Sequence, residues 1–123
     1  MMKYTRVYTD SNGASHFDDV ETELSDAGFA PPAPPLLLSP YYATTRFVFC
    51  GAPAGWFGDW HLAPKRQIIF YLRGKVEIEV SDGEIRHFGP GDIVLLEDTT
   101  GVGHIGRIGE AEDMLSAVVQ LSD

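Results

Sequence analysis

Along this chain, apolar and polar side chains alternate over short stretches, each bounded by glycine, proline, asparagine or aspartate. A period of two marks a strand with one buried face, and no long run repeats its apolar positions every 3.6 residues. The pattern predicts an all-β domain. Tyr4 to Thr9 form a first predicted strand and Asp10 to Gly13 a turn, with His16 to Leu24 as a second strand or an irregular arm. From Thr44 onward eight more strands are expected: Thr45 to Cys50, Trp56 to Leu62, Gln67 to Arg73, Lys75 to Ser81, Glu84 to Phe88, Asp92 to Leu96, Gly103 to Ile108 and Met114 to Leu121. Eight short strands suit a closed or double-sheet barrel.

Two of these stretches say more. Val76, Ile78 and Val80 share one face of their strand and Glu77 and Glu79 the other, so the glutamates are expected on a solvated outer wall. Asp82-Gly83 then supplies a tight turn into the next strand, because glycine takes the positive φ such a turn demands. The stretch Ile68 to Leu72 breaks the alternation, since all of its side chains are apolar or aromatic. Both of its faces should be shielded, and a barrel interior covers only one. A second copy of the chain, in a homodimer, is expected over the other face, with an amino-terminal arm as the alternative.

Ala30 to Pro40 holds five prolines in eleven residues, which fixes φ and removes backbone donors. It is expected to be a polyproline-like surface connection. The chain then reads as one domain, 1–123, with an arm and connection over 1–40 and the barrel over 41–123.

Composition narrows the partners. At 123 residues and 44% hydrophobic content, the chain is long enough for a barrel core without disulfides. Eighteen acidic against nine basic residues give a formal charge of −9, which repels phosphate backbones and anionic lipid. Nucleic acid and membrane surfaces are therefore poor partners, and a small-molecule ligand is the better expectation. Cys50 stands alone, within Phe-Val-Phe-Cys, and reads as a buried apolar residue. With neither a signal-like apolar stretch nor a membrane-length one, a cytoplasmic location is expected.

The four histidines are His16, His61, His87 and His104. His16 and His87 sit in polar stretches and read as exposed or structural. Around His61 the chain reads Gly55-Trp56-Phe57-Gly58-Asp59-Trp60-His61-Leu62-Ala63-Pro64-Lys65-Arg66-Gln67, followed by an apolar strand ending at Gly74. This frame resembles the first motif of the cupin superfamily, with Gly55, His61, Ala63, Gln67 and Gly74 at the family's spacing. Ala63 stands where the family has a second histidine, and Gln67 where it has glutamate. Gly89-Pro90-Gly91-Asp92 resembles the opening of the second motif and His104 its closing histidine, with the intervening loop two residues longer than usual.

The resemblance covers about Phe47 to Val119 and implies a double-stranded β-helix, the jelly-roll barrel of cupins. It also implies a pocket in which His61, Gln67 and His104 hold one divalent transition metal, Fe, Mn, Ni or Zn. Two imidazoles and an amide oxygen form a neutral donor set, weaker than two histidines and a carboxylate, so a metal-free pocket stands beside it. Asp59 or Asp98 would supply the missing charge, although Asp98 also reads as a turn residue capping its own backbone. Strand parity puts Phe57, Asp59, His61 and Ala63 on one face. Phe47, Phe49, Trp56, Trp60 and Tyr71 read either as flat pocket walls or as plain core. The functional expectation is a small-molecule-binding cupin, metal-assisted on a polar or aromatic metabolite, or else a ligand-binding or sensory dimer without metal.

Overall fold

The computed structural model covers residues 1–123 and contains twelve strands and no helix. In chain order these are β1 (Met2–Thr9), β2 (Ser15–Thr22), β3 (Ser25–Ala27), β4 (Leu36–Leu38), β5 (Thr44–Ala52), β6 (Phe57–His61), β7 (Gln67–Arg73), β8 (Val76–Val80), β9 (Ile85–Phe88), β10 (Ile93–Leu96), β11 (His104–Ile108) and β12 (Met114–Leu121). Six form one sheet in the order β2-β1-β10-β7-β12-β5, and four form a second in the order β6-β11-β8-β9. The two sheets face each other as a jelly-roll barrel.

The core lies between them. Val7, Tyr71, Val94 and Leu96 from the larger sheet meet Val76, Ile78, Val80, Phe88 and Ile108 from the smaller one, with Phe17 and Ala63 in the same cluster. The alternation expected of β8 holds: Val76, Ile78 and Val80 are buried, while Glu77 and Glu79 face outward and bind Arg107 at 2.8 Å each. The Asp82-Gly83 turn joins β8 to β9 antiparallel, with Gly83 at φ +97°.

The amino-terminal boundary at residue 40 is corrected. β1 pairs in parallel with β10 and antiparallel with β2, so both are strands of the six-stranded sheet and not an arm. The stretch from 23 to 43 stands outside the two sheets. It carries a two-stranded hairpin in which β3 pairs with β4, so the proline-rich connection includes a short strand at Leu36–Leu38. Its prolines are exposed, as expected of a donor-poor surface segment.

β7 has two apolar faces as its sequence demands. Gln67 and Tyr71 are buried within the barrel, whereas Phe70 and Leu72 on the outer face remain 37% and 48% exposed. The connection around Leu38 to Tyr42 lies against Ile68, Phe70 and Val119, but it leaves Leu72 and the β5 phenylalanines open. Across the barrel edge, Glu97 binds both Arg6 of β1 and Arg66 before β7, and Arg66 also binds Asp123.

Candidate functional site

A cavity of about 180 Å³ opens between the sheets. Its walls are mostly apolar: Ile69 and Tyr71 of β7, Val76 and Ile78 of β8, Leu96, Ile108 and Met114, with Trp56 and Pro64 toward the rim. Polar groups are few and come from His61, Gln67, His104, Ser116 and Cys50. Few polar groups in an apolar concavity is the usual composition of a small-molecule site.

The two imidazoles arrive from neighbouring strands. β6 and β11 pair antiparallel with His61 opposite His104, and their ring centroids lie 4.5 Å apart. Gly103 sets this closeness. Its φ is +81°, and a Cβ there would overlap the carbonyl oxygen of His61, so only glycine lets the two backbones approach.

Each ring is fixed from behind. His61 donates from Nδ1 to the carbonyl oxygen of Asp59 at 2.7 Å, and His104 donates from Nδ1 to Oδ2 of Asp98 at 2.5 Å. Asp98 is fully buried, and its second oxygen, Oδ1, is the one buried side-chain polar atom without a partner in the protein. Its backbone carbonyl accepts from the N–H of Ala63, tying the Asp98 loop to the end of the His61 segment. With both Nδ1 atoms engaged, Nε2 of each ring is left without a bond inside the protein.

Gln67 is buried at 8% exposure, and its Oε1 accepts from Nε2 of Gln120 at 3.3 Å. Gln120 in turn accepts from Arg46 at 2.7 Å. Burial pushes the Tyr71 hydroxyl well above the ordinary tyrosine value, so it stays protonated; the ring stacks on Phe88 at 5.9 Å. Ser116 donates to the carbonyl of Cys50 at 3.1 Å.

Of the expected pocket residues, His61, Gln67, Tyr71 and His104 share this cavity, and Phe47, Phe49, Phe57 and Asp59 do not. The correction for β6 is a register shift: Gly58 pairs with Gly106 while His61 pairs with His104, so β6 carries one more residue than β11 between these points. A bulge of this kind reverses the parity that a regular strand would keep. Phe57 is therefore turned outward, 54% exposed, with Arg107 over its ring, and the Asp59 carboxylate accepts from the backbone N–H of Trp60 in its own strand. Phe47 and Phe49 point to the outer face of the larger sheet, 55% and 65% exposed. Ala63 lines the cavity at 2% exposure, and Trp60 lies outside it, 41% exposed.

Two residues had a different expected place. Cys50 is not buried: it is exposed on the edge strand β5, with its side chain on the cavity side. Asp98 does not cap a turn, because its carboxylate lies beneath His104. A carboxylate six residues before a histidine that opens a strand was the available signal. His16 and His87 lie away from the cavity, His16 between Asp10 and Asp82 and His87 on Glu77.

The donor set falls short of a metal centre of the kind the resemblance implies. No group of three or more His, Cys, Asp or Glu side chains is arranged to hold a metal ion. Asp98 offers one oxygen to His104 and keeps the other sealed from the cavity, and the Gln67 oxygen already accepts from Gln120. What remains is two imidazole nitrogens without a carboxylate to balance a divalent charge.

No family model matches the chain, and no curated protein matches it. Among solved structures, the chain is similar to a Cupin 2 conserved barrel domain protein from Salinispora arenicola, with 21% identity and a TM-score of 0.51 over 83% of this chain and 78% of that one. It also matches a protein from Neisseria meningitidis at 16% identity and TM-score 0.46, over 62% of this chain and 74% of that one. An ethanolamine utilization protein Q from Salmonella typhimurium matches at 12% identity and TM-score 0.34, over 98% and 96% of the two chains. The first likeness establishes the fold: this chain folds as a cupin-type barrel.

Proposed function

We propose, on the premise of the cupin-type barrel, that this protein binds a compact small molecule through His61 and His104 directly, as a ligand-binding or sensory cupin that works without a metal. The observation that carries the reading is the pair of Nε2 atoms left open by Nδ1 bonds to Asp59 and Asp98, at the polar end of an otherwise apolar cavity. The size of the cavity bounds the ligand. An apolar cavity of about 150 Å³ holds benzene, so a volume of about 180 Å³ suits a single ring or a chain of similar bulk.

Chemistry bounds it further. The groups facing both Nδ1 atoms, a carbonyl oxygen and a carboxylate, are acceptors, so each neutral ring carries its hydrogen on Nδ1 and presents Nε2 as an acceptor. A ligand that completes the site brings a hydrogen-bond donor, such as a hydroxyl, beside its apolar body. Ring-sized alcohols are accordingly expected to raise the melting temperature, in the presence of chelator as well as without it. His61→Ala and His104→Ala should each weaken that stabilisation, the second also lowering the melting temperature of the free protein because it strands the buried Asp98 carboxylate. Stabilisation that vanishes on chelation would overturn the metal-free reading.

A second reading, a metal-assisted enzyme on a polar or aromatic metabolite, draws on His61, Gln67 and His104 lining one cavity. Stoichiometric Fe, Mn, Ni or Zn in untagged protein, lost in both histidine variants, would favour it.

We also propose that a second copy of the chain covers the outer face of the larger sheet. The side chains left open there, Phe47, Phe49, Phe70 and Leu72, form one patch that ends on the unpaired edge of β5. An isologous dimer sets the same patch of both copies against itself about a two-fold axis, and an exposed apolar patch of this kind is the face such a contact would cover.

A further inference from the structure

We infer that Asp98 is a positioning residue that sets the ligand specificity of the cavity by fixing which nitrogen of His104 carries the hydrogen. The inference rests on the binding function proposed above and deepens it. Asp98 has no exposure, lies 2.5 Å from Nδ1 of His104, and touches no other polar side chain. A carboxylate oxygen facing Nδ1 accepts, so it holds a hydrogen on Nδ1, and in the neutral ring Nε2 is then the acceptor toward the cavity.

His61 supplies a built-in comparison. Its Nδ1 is held by a backbone carbonyl, that of Asp59, which no side-chain substitution removes. Two acceptors 4.5 Å apart by ring centroid then face one ligand head. A molecule that only accepts, such as a ketone, meets two lone pairs and leaves both nitrogens unpaired. An alcohol of the same shape donates to one of them. Leaving a buried polar group unpaired costs more than forming its bond gains, so the cavity discriminates chiefly by rejection.

Asp98→Asn reverses the polarity. The position of Oδ1 has no partner in the protein, and the native fold tolerates an oxygen there. The introduced amide can keep its oxygen in that place and turn its NH₂ toward Nδ1 of His104. The ring hydrogen then moves to Nε2, and His104 becomes a donor toward the cavity.

Cyclohexanol and cyclohexanone, nearly identical in shape, test this by calorimetric titration into the full-length protein. Cyclohexanol is expected to bind about tenfold more tightly than cyclohexanone to the native protein, and that ratio is expected to fall about tenfold in Asp98→Asn. In parallel, ¹⁵N NMR of ring nitrogens needs no ligand: His104 should carry its hydrogen on Nδ1 in the native protein and on Nε2 in the variant, with His61 unchanged in both. A native His104 bearing its hydrogen on Nε2 overturns the inference outright. Equal binding of alcohol and ketone overturns it while leaving the binding cavity standing. Failure of both probes to bind overturns the cavity reading itself, and the specificity argued from it falls too.

Discussion

Gly103 holds the two imidazoles together by having no side chain. Its positive φ and its contact with the His61 carbonyl make Gly103→Ala costly twice over, through a left-handed backbone and through overlap. Denaturant unfolding should show a loss of at least about 2 kcal/mol, with the ligand-induced stabilisation lost as well. A different residue, His16, governs the response to pH. Its ring binds Asp10 at 2.6 Å and Asp82 at 2.8 Å, one carboxylate on each nitrogen, which only the protonated imidazole satisfies.

Asp10, then Asp82, raises His16 above its ordinary value of 6.5. Asp10 is held below 3.8 by His16 first, and Asp82 by the backbone N–H of Glu84 and then by His16. The histidine's contribution is present in full below 6.5 and lost as pH rises through the raised folded value; the aspartates' contribution is present above 3.8 and lost as pH falls through the lowered ones. Melting temperature is therefore expected to be highest between these limits. His16→Gln should flatten the alkaline fall, and an unchanged alkaline limb would remove His16 as its cause.

At the scale of elements, the strands are legible because each is a short alternating or continuously apolar stretch bounded by turn residues. β7 and β12 run over the residues their patterns predict, Gln67–Arg73 and Met114–Leu121. Parity failed only where regularity did. The shift between His104 and Gly106 turns Phe57 and Asp59 away from the cavity, and no composition signal marks a bulge before the partner strand is known. β1 and β2 were read as an arm because parallel pairing with β10 depends on a strand distant in sequence.

Ser15 joins these elements: its hydroxyl donates to the carbonyl of Gly103 at 2.6 Å and accepts from the N–H of Ser81 at 2.8 Å, fully buried. Ser15→Ala leaves a buried carbonyl and a buried N–H short of a partner. It is expected to lower unfolding free energy by about 1–3 kcal/mol, measured by urea denaturation. A change near zero would show that water replaces both bonds.

For the whole molecule, the apolar outer face makes a measurable statement about assembly. Sedimentation is expected to give a dimer, and Phe49→Glu or Leu72→Glu a folded monomer with unchanged circular dichroism; a native monomer at high micromolar concentration would refute the paired face. No helix in the structure is long and apolar enough to cross a membrane. The sequence by itself determined the all-β class and the approximate positions of the ten strands that build the two sheets. These follow from local pattern and backbone sterics, which are written residue by residue. Tertiary structure alone decided that His61 and His104 meet, that Asp98 lies beneath one of them, and that the phenylalanines of β5 face outward. Each of these depends on register between strands far apart in the chain. A register shift of one residue moves a side chain to the opposite face, and local alternation reads the same in either case.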